Sequence, residues 1–166
     1  MGDTRAIHFD VYFDNPSEFD MTIDFGTYSL MVYYAKQLNY EKAKLLYDAT
    51  LSEYYYRATY NKPLDDLTDE YSSHFNSDEI QQVIDFIEND LIPELNNEKQ
   101  DLIEKYGGRE GFYDRFEKDE GFIRGFIYED EWYYSDPLQI SSLLDAFKSL
   151  LSHVIFINQA YRVSIR

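Results

Sequence analysis

The feature that most constrains the fold is a long apolar segment near the C-terminus. Asp136-Pro137 marks a helix start, and residues 138–160 predict a helix that is apolar almost all round. Its apolar positions are Ile140, Leu143, Leu144, Phe147, Leu150, Leu151, Val154, Ile155 and Phe156. Such a helix normally lies in a core or at a subunit interface. We therefore expect the rest of the chain to pack around it, and its surface is also compatible with a dimer.

Alternating residues predict strands at both ends of the chain. Apolar and polar side chains alternate over residues 7–13 and again over 21–25, with turn residues 14–17 between them. This pattern predicts a β-hairpin. The tail alternates at Tyr161, Val163 and Ile165, which predicts a final edge strand.

Helical spacing dominates the middle of the chain. It begins near Tyr28, resumes after a cap at Asn39, and resumes again after Ser77 with an expected break at Pro93. Residues 64–76 are expected to be irregular, 112–118 to form a short helix, and 122–128 and 131–134 to form strands. The expected fold class is α+β: a small antiparallel sheet with four or five helices around the apolar C-terminal helix. At 166 residues, 1–166 fits a single domain.

Negative charge is concentrated in residues 65–136. This stretch holds 22 of the 32 acids and 6 of the 15 bases, a net charge of −16 out of −17 for the chain. Charge of one sign repels itself, so it usually serves solubility or the steering of a partner. The composition predicts a basic protein partner. It argues against direct binding to nucleic acid or to a membrane surface, since both are polyanions.

The sequence lacks the patterns of several other protein classes. There is no Cys, so disulfides and thiol chemistry are excluded, and we expect a cytoplasmic protein. The N-terminus does not resemble a secretory signal, and no apolar run is long enough to span a membrane. No nucleophile elbow, phosphate-binding loop or metal-ligand spacing occurs. We therefore predict a non-enzymatic protein without catalytic residues, cofactor or metal.

The strongest candidate site is a row of acids. On a helix over residues 94–105, three- and four-residue steps would place Glu94, Glu98, Asp101 and Glu104 on one exposed ridge. Neighbouring carboxylates on such a ridge lie roughly 5–6 Å apart, a spacing broadly similar to that of adjacent phosphates on a DNA strand. On the preceding helix over 78–92, the acids Asp78, Asp85 and Glu88 fall opposite or beside the apolar stripe.

Two further groups complete the predicted partner-binding surface. The first is the acid-rich run Asp114, Glu117, Asp119 and Glu120, for which a solvated face is the alternative. The second is the segment 128–136, where Glu129, Asp130 and Glu131 precede Trp132 and Tyr133. Trp and Tyr are favoured at interface hot spots, and surrounding acids would select a basic partner. The alternative is a strand whose Trp faces the core.

Three functions remain open at this point. The leading hypothesis is an acidic inhibitor that mimics nucleic-acid backbone charge and blocks a basic nucleic-acid-binding protein, as anti-restriction and anti-CRISPR proteins do. The second is an immunity protein or antitoxin that neutralises a basic toxin nuclease. The third is a carboxylate-dependent hydrolase, which would need a pocket with acids of raised pKa.

Overall fold

The computed structural model describes residues 6–11, 20–52, 70–72, 77–119, 135–157 and 161–165. Seven α-helices lie within these ranges: α1 Phe25–Leu38, α2 Tyr40–Tyr47, α3 Ser77–Phe86, α4 Ile92–Asn97, α5 Leu102–Lys105, α6 Gly108–Glu117 and α7 Pro137–Ile157. Two π-helical turns extend α2 and α3, over Asp48–Ser52 and Ile87–Leu91. Four short strands are β1 Ala6–Val11, β2 Asp20–Asp24, β3 Glu70–Ser72 and β4 Tyr161–Ile165.

The expected α+β class is wrong, because the residues that the structure describes are mostly helical. Helices supply almost all of the described core. Among the strand residues whose side chains are described, Ile23 is the apolar one that lies in this core. The four strands have only 6, 5, 3 and 5 residues. Alternating patterns at the two chain ends indicated where strands form, but they did not show that helices would supply almost all of the described core.

The short strands pair antiparallel in the order β2-β1-β4-β3. The predicted hairpin is confirmed by the pairing of β1 with β2, in which His8 lies opposite Thr22. Strand β4 was expected at an edge, but it lies between β1 and β3. Strand β3 falls within residues 64–76, which were expected to be irregular; its three residues pair with the tail, a contact too distant in sequence for local patterns to reveal.

Helix α7 is central to the described core, as the sequence predicted. Its buried positions recur at three- and four-residue steps and include Phe147, which is 1% exposed. The helix contacts α3, the π turn after it, α4, β1 and β2. Its opposite face is polar or exposed, and Phe156 on that side is 85% exposed. The apolar residues all round the helix therefore predicted more burial than the structure shows.

Helix α1 begins at a buried cap. The Asp24 carboxylate accepts hydrogen bonds from the Thr27 backbone N–H at 2.9 Å and from the Thr27 hydroxyl at 2.6 Å. These bonds satisfy a helix N-terminal donor and allow the carboxylate to lie in the core, where Asp24 is 5% exposed. Asn39 both ends α1 and caps α2, accepting from the Lys42 backbone N–H at 3.0 Å.

Pro93 was expected to kink or break its helix, but the chain stays helical from residue 77 to residue 97. The irregularity lies one turn earlier, in the π-helical turn, where the Ile92 backbone N–H donates to the Ile87 carbonyl. In a regular α-helix the proline ring would collide with the carbonyl four residues before it. We attribute the wider turn to relief of that collision.

A tight turn joins α5 to α6. Gly107 follows the end of α5 with φ +91° and Gly108 has φ +83°, conformations that favour glycine. Gly111 lies against the same turn, where a Cβ would come within 2.5 Å of the Tyr106 carbonyl oxygen. The Arg115 guanidinium donates to that oxygen at 3.3 Å. The turn therefore requires glycine for both backbone conformation and close approach.

Candidate functional site

The predicted ridge over residues 94–104 does not form. Helix α4 ends at Asn97, and the backbone at both Glu98 and Asp101 is non-helical, with ψ of 139° at each. The break means that the four acids do not share one helix face. Glu94 and Glu104 are exposed, whereas Glu98 and Asp101 are only half-exposed. The expectation of four exposed acids on one ridge is wrong.

Glu98 is held by partners rather than presented to solvent. Its Oε1 accepts hydrogen bonds from the Lys105 ammonium at 2.8 Å and from the Tyr34 hydroxyl at 3.0 Å. Burial opposes ionisation of this carboxyl, but the bonds from Lys105 and Tyr34 outweigh it and lower the pKa of Glu98. Burial, followed by the hydrogen bond to Glu98, raises the pKa of Tyr34. A catalytic general acid would need a raised carboxyl pKa, so the shift at Glu98 has the wrong sign for that role.

Asp101 also has a structural role. It caps α5 by accepting from the Ile103 backbone N–H at 2.9 Å, and its second oxygen accepts from the Ser135 hydroxyl at 2.6 Å. The Leu102 backbone N–H donates to the Ser135 carbonyl at 3.0 Å, so the segment before α7 is fixed to this helix end. Glu98 and Asp101 therefore both hold contacts within the fold.

The acids of the 114–120 run have different environments. Asp114 and Glu117 are exposed; Asp114 pairs with Lys118 at 2.9 Å, and Glu117 accepts from the Tyr113 hydroxyl at 3.0 Å. Asp119 pairs with Lys36 of α1, and its side chain is 6% exposed. Asp119 therefore links α1 to the end of α6 and is not available to a partner.

The remaining predicted site residues lie outside the described residues. They are Glu120, Glu129, Asp130, Glu131, Trp132 and Tyr133. The expected strands over 122–128 and 131–134 lie outside them as well.

The structure presents a different acidic surface, which we call the acidic rod: the continuous helical segment of residues 77–97. It contains six acids and no Lys or Arg. Its apolar side chains from Ile80 to Leu95 are buried in the core, apart from Ile92, which is partly buried, and Pro93, which is exposed. Its exposed acids are Asp78, Asp85, Glu88 and Glu94, with Glu79 and Asp90 half-exposed. An amphipathic helix with one buried stripe necessarily turns these acids outward.

Bases from other elements neutralise only part of the acidic rod. Lys42 of α2 pairs with Asp90 at 3.1 Å, and Lys148 of α7 lies 3.7 Å from Glu88. Within the described ranges, no Lys or Arg lies within ion-pair distance of the three acids Asp78, Asp85 and Glu94. The Asp85 carboxylate accepts a hydrogen bond from the neutral Gln81 amide at 2.9 Å.

The surface of α5 and α6 is mixed in charge by comparison. Residues 102–118 contain four acids, Glu104, Glu110, Asp114 and Glu117, and four bases, Lys105, Arg109, Arg115 and Lys118, so their net charge is zero. The acidic rod has a net charge of −6 over 21 residues. Sequence reasoning missed this contrast because it counted acids and their spacing in 94–104. The absence of Lys and Arg from residues 77–98 was the signal that could have located the rod.

Among the described residues, no group of three His, Cys, Asp or Glu side chains is arranged to hold a metal ion. No helix in the same ranges combines the length and apolar character needed to cross a membrane.

No protein-family model, curated protein or solved structure matches this chain. The acidic rod is therefore the feature from which a function can be inferred, through its charge, exposure and shape.

Proposed function

We propose that this protein is a non-enzymatic, cytoplasmic inhibitor that binds a basic nucleic-acid-binding protein through the acidic rod. The rod would occupy a groove lined by Lys and Arg that otherwise holds a nucleic-acid backbone. The observation that supports this proposal is a surface helix with six acids, no base, and three acids without an ion-pair partner in the described ranges.

The dimensions of the acidic rod suit this role. A helix of 21 residues is about 31 Å long at 1.5 Å per residue. Six acids along it give about one charge per 5 Å, which is sparser than the 3.4 Å axial spacing of phosphates on one DNA strand but of the same order. A partner that binds nucleic acid through backbone contacts would meet negative charge repeated along one helix.

The rod also suits fast association. Asp78, Asp85 and Glu94 carry charge that no nearby base in the described ranges cancels. Uncompensated charge of one sign attracts an oppositely charged groove over distances of about a Debye length, about 8 Å at physiological salt. Association with the partner should therefore slow as salt rises.

Two quadruple variants test the proposal. The rod variant carries Asp78→Asn, Asp85→Asn, Glu88→Gln and Glu94→Gln. The matched control carries Glu104→Gln, Glu110→Gln, Asp114→Asn and Glu117→Gln, so both variants lose four negative charges. Wild-type protein and both variants would serve as bait in host-cell extract, and recovered proteins would be identified by mass spectrometry. The recovered partner would then be bound to a labelled DNA duplex and competed with each bait.

We expect the wild-type protein and the control variant to recover the same basic partner and to displace the duplex, and the rod variant to do neither. Equal loss in both variants would mean that net charge alone drives binding. Retention by the rod variant would contradict the proposed site. Recovery of a single toxin nuclease would favour the immunity-protein alternative.

A further inference from the structure

An open cleft lies between α2 and α3, beside the middle of the acidic rod. Its volume is about 440 Å³, and it is lined by Glu41, Lys42, Leu45, Gln82, Asp85 and Phe86. The volume is within the range of pockets that bind ligands, roughly 300–1,000 Å³. Four of the lining residues are exposed, so the cleft can be entered from solvent.

The lining combines two kinds of surface. Carboxylates come from both sides, Glu41 from α2 and Asp85 from α3, while Leu45 and Phe86 supply apolar surface. Phe86 is 2% exposed, so it forms the base of the cleft rather than its rim. A long side chain with an apolar stem and a cationic head matches such a lining.

The lysine in the lining does not offset both acids. The Lys42 ammonium lies 3.1 Å from Asp90 Oδ2, so its charge is directed to a different carboxylate. Asp85 receives a hydrogen bond from Gln81 at Oδ1 only. In the described ranges, no Lys or Arg lies within ion-pair distance of Glu41 or Asp85. Both carboxylates can therefore accept hydrogen bonds from an incoming cation.

We infer that this cleft receives an arginine side chain of the basic partner. This inference rests on the proposed function and adds the residue type that anchors the partner. The guanidinium would donate to Glu41 and Asp85, and the methylenes would lie over Leu45 and Phe86. Arginine suits the cleft better than lysine because its planar head has five donors and is less strongly hydrated, so it can bond two carboxylates beside apolar surface.

Binding of labelled hexa-arginine and hexa-lysine peptides, followed by fluorescence anisotropy, tests the inference. The variants are Glu41→Gln, in the cleft but outside the acidic rod, and Glu110→Gln, an exposed acid of α6 outside both; each removes one negative charge. Asp85→Asn is a second cleft variant. All three positions are exposed, and thermal unfolding would verify that each variant folds.

We expect hexa-arginine to bind the wild-type protein more tightly than hexa-lysine does. Glu41→Gln should weaken hexa-arginine binding about tenfold, the effect of losing one hydrogen bond to a charged group, and Glu110→Gln should leave it unchanged. Equal affinities for the two peptides, or equal effects of Glu41→Gln and Glu110→Gln, would overturn the cleft assignment. Either result would overturn only the cleft assignment, because the effect of the rod variant on partner binding is measured separately. Conversely, the protein could fail to displace the duplex from the recovered partner and still bind hexa-arginine more tightly than hexa-lysine. That outcome would overturn only the proposed function.

Discussion

At the scale of the residue, the acids of this chain divide into two groups by what surrounds them. The carboxylates of Asp24 and Asp119 are largely buried and that of Glu98 is partly buried, and all three are bonded to backbone N–H, hydroxyl or ammonium groups. A buried carboxylate is tolerated only with such partners, because desolvation of its charge is otherwise costly. Asp85 and Glu94 lie in solvent and are available to a partner. Type and spacing of acids alone do not distinguish the two groups.

Glu98 provides a pH-dependent test of its structural role. Glu98→Gln should lower the free energy of unfolding by about 1–3 kcal/mol at pH 7, because the bonds from Lys105 and Tyr34 would no longer reach a charged acceptor. The folded pKa of Glu98 is lowered, so its contribution is fully present above the unfolded pKa, about 4.3, and is lost as pH falls through the folded value. Urea unfolding at a series of pH values from neutral to below that pKa measures this.

The matched control is Glu94→Gln, an exposed acid on α4. It should change the free energy of unfolding by less than about 0.5 kcal/mol at neutral pH. A destabilisation of Glu98→Gln that stayed constant as pH fell would show that the role of Glu98 does not depend on its charge.

At the scale of the element, the acidic rod shows how one proline shapes a surface. Because the chain stays helical past Pro93, residues 77–97 present a continuous outer face rather than two separate helices. The π-helical turn Ile87–Leu91 makes room for the Pro93 ring, and Ile87 and Leu91 both remain buried. Packing of those side chains against α7 and α1 holds the turn in place.

Helix α7 offers a paired test of burial within a single element. Phe147→Ala should lower the free energy of unfolding by about 3–5 kcal/mol, because Phe147 is 1% exposed and its loss leaves a cavity. Phe156→Ala removes the same side chain at a position that is 85% exposed, and should cost less than about 1 kcal/mol. Urea denaturation of both variants measures the difference. Similar losses would contradict the placement of the helix.

At the scale of the whole molecule, the charge distribution opposes folding and would favour the proposed binding of a basic partner. The net charge is −17, and the rod alone contributes −6. Repulsion among these charges destabilises the compact state, while the same field would attract the proposed basic partner. Binding would relieve part of the repulsion, so the partner should also stabilise the fold.

Salt should therefore stabilise the protein in the absence of a partner. Raising NaCl from about 10 mM to about 500 mM screens the repulsion and should raise Tm by roughly 2–4 °C, equivalent to about 1 kcal/mol. The rod variant, with four fewer negative charges, should show a smaller rise. Differential scanning calorimetry of the two proteins measures the effect. A Tm that fell with salt would indicate that ion pairs such as Lys42–Asp90 outweigh the repulsion.

The sequence by itself determined the features that depend on local periodicity. Apolar steps of three and four residues located α1, α3 and α7, and alternation located the β1–β2 hairpin. The concentration of acids in the middle of the chain could also be read directly, although the ridge predicted from it over residues 94–104 does not form. The dominance of helix over strand could not be read from the sequence. Alternation shows where a strand can form, but it does not show how small a share of the core that strand fills.

Only the tertiary structure decided which acids remain available to a partner. Tyr34 lies 64 residues from Glu98, and Lys36 lies 83 residues from Asp119. Partners this distant in sequence cannot be predicted from the spacing of residues along the chain. They nevertheless determine whether a carboxylate is bonded and buried or exposed. Likewise, the cleft beside Asp85 exists because α2 packs against α3, a helix that is distant from it in sequence. Long-range packing therefore converted a diffuse acidic composition into one defined surface.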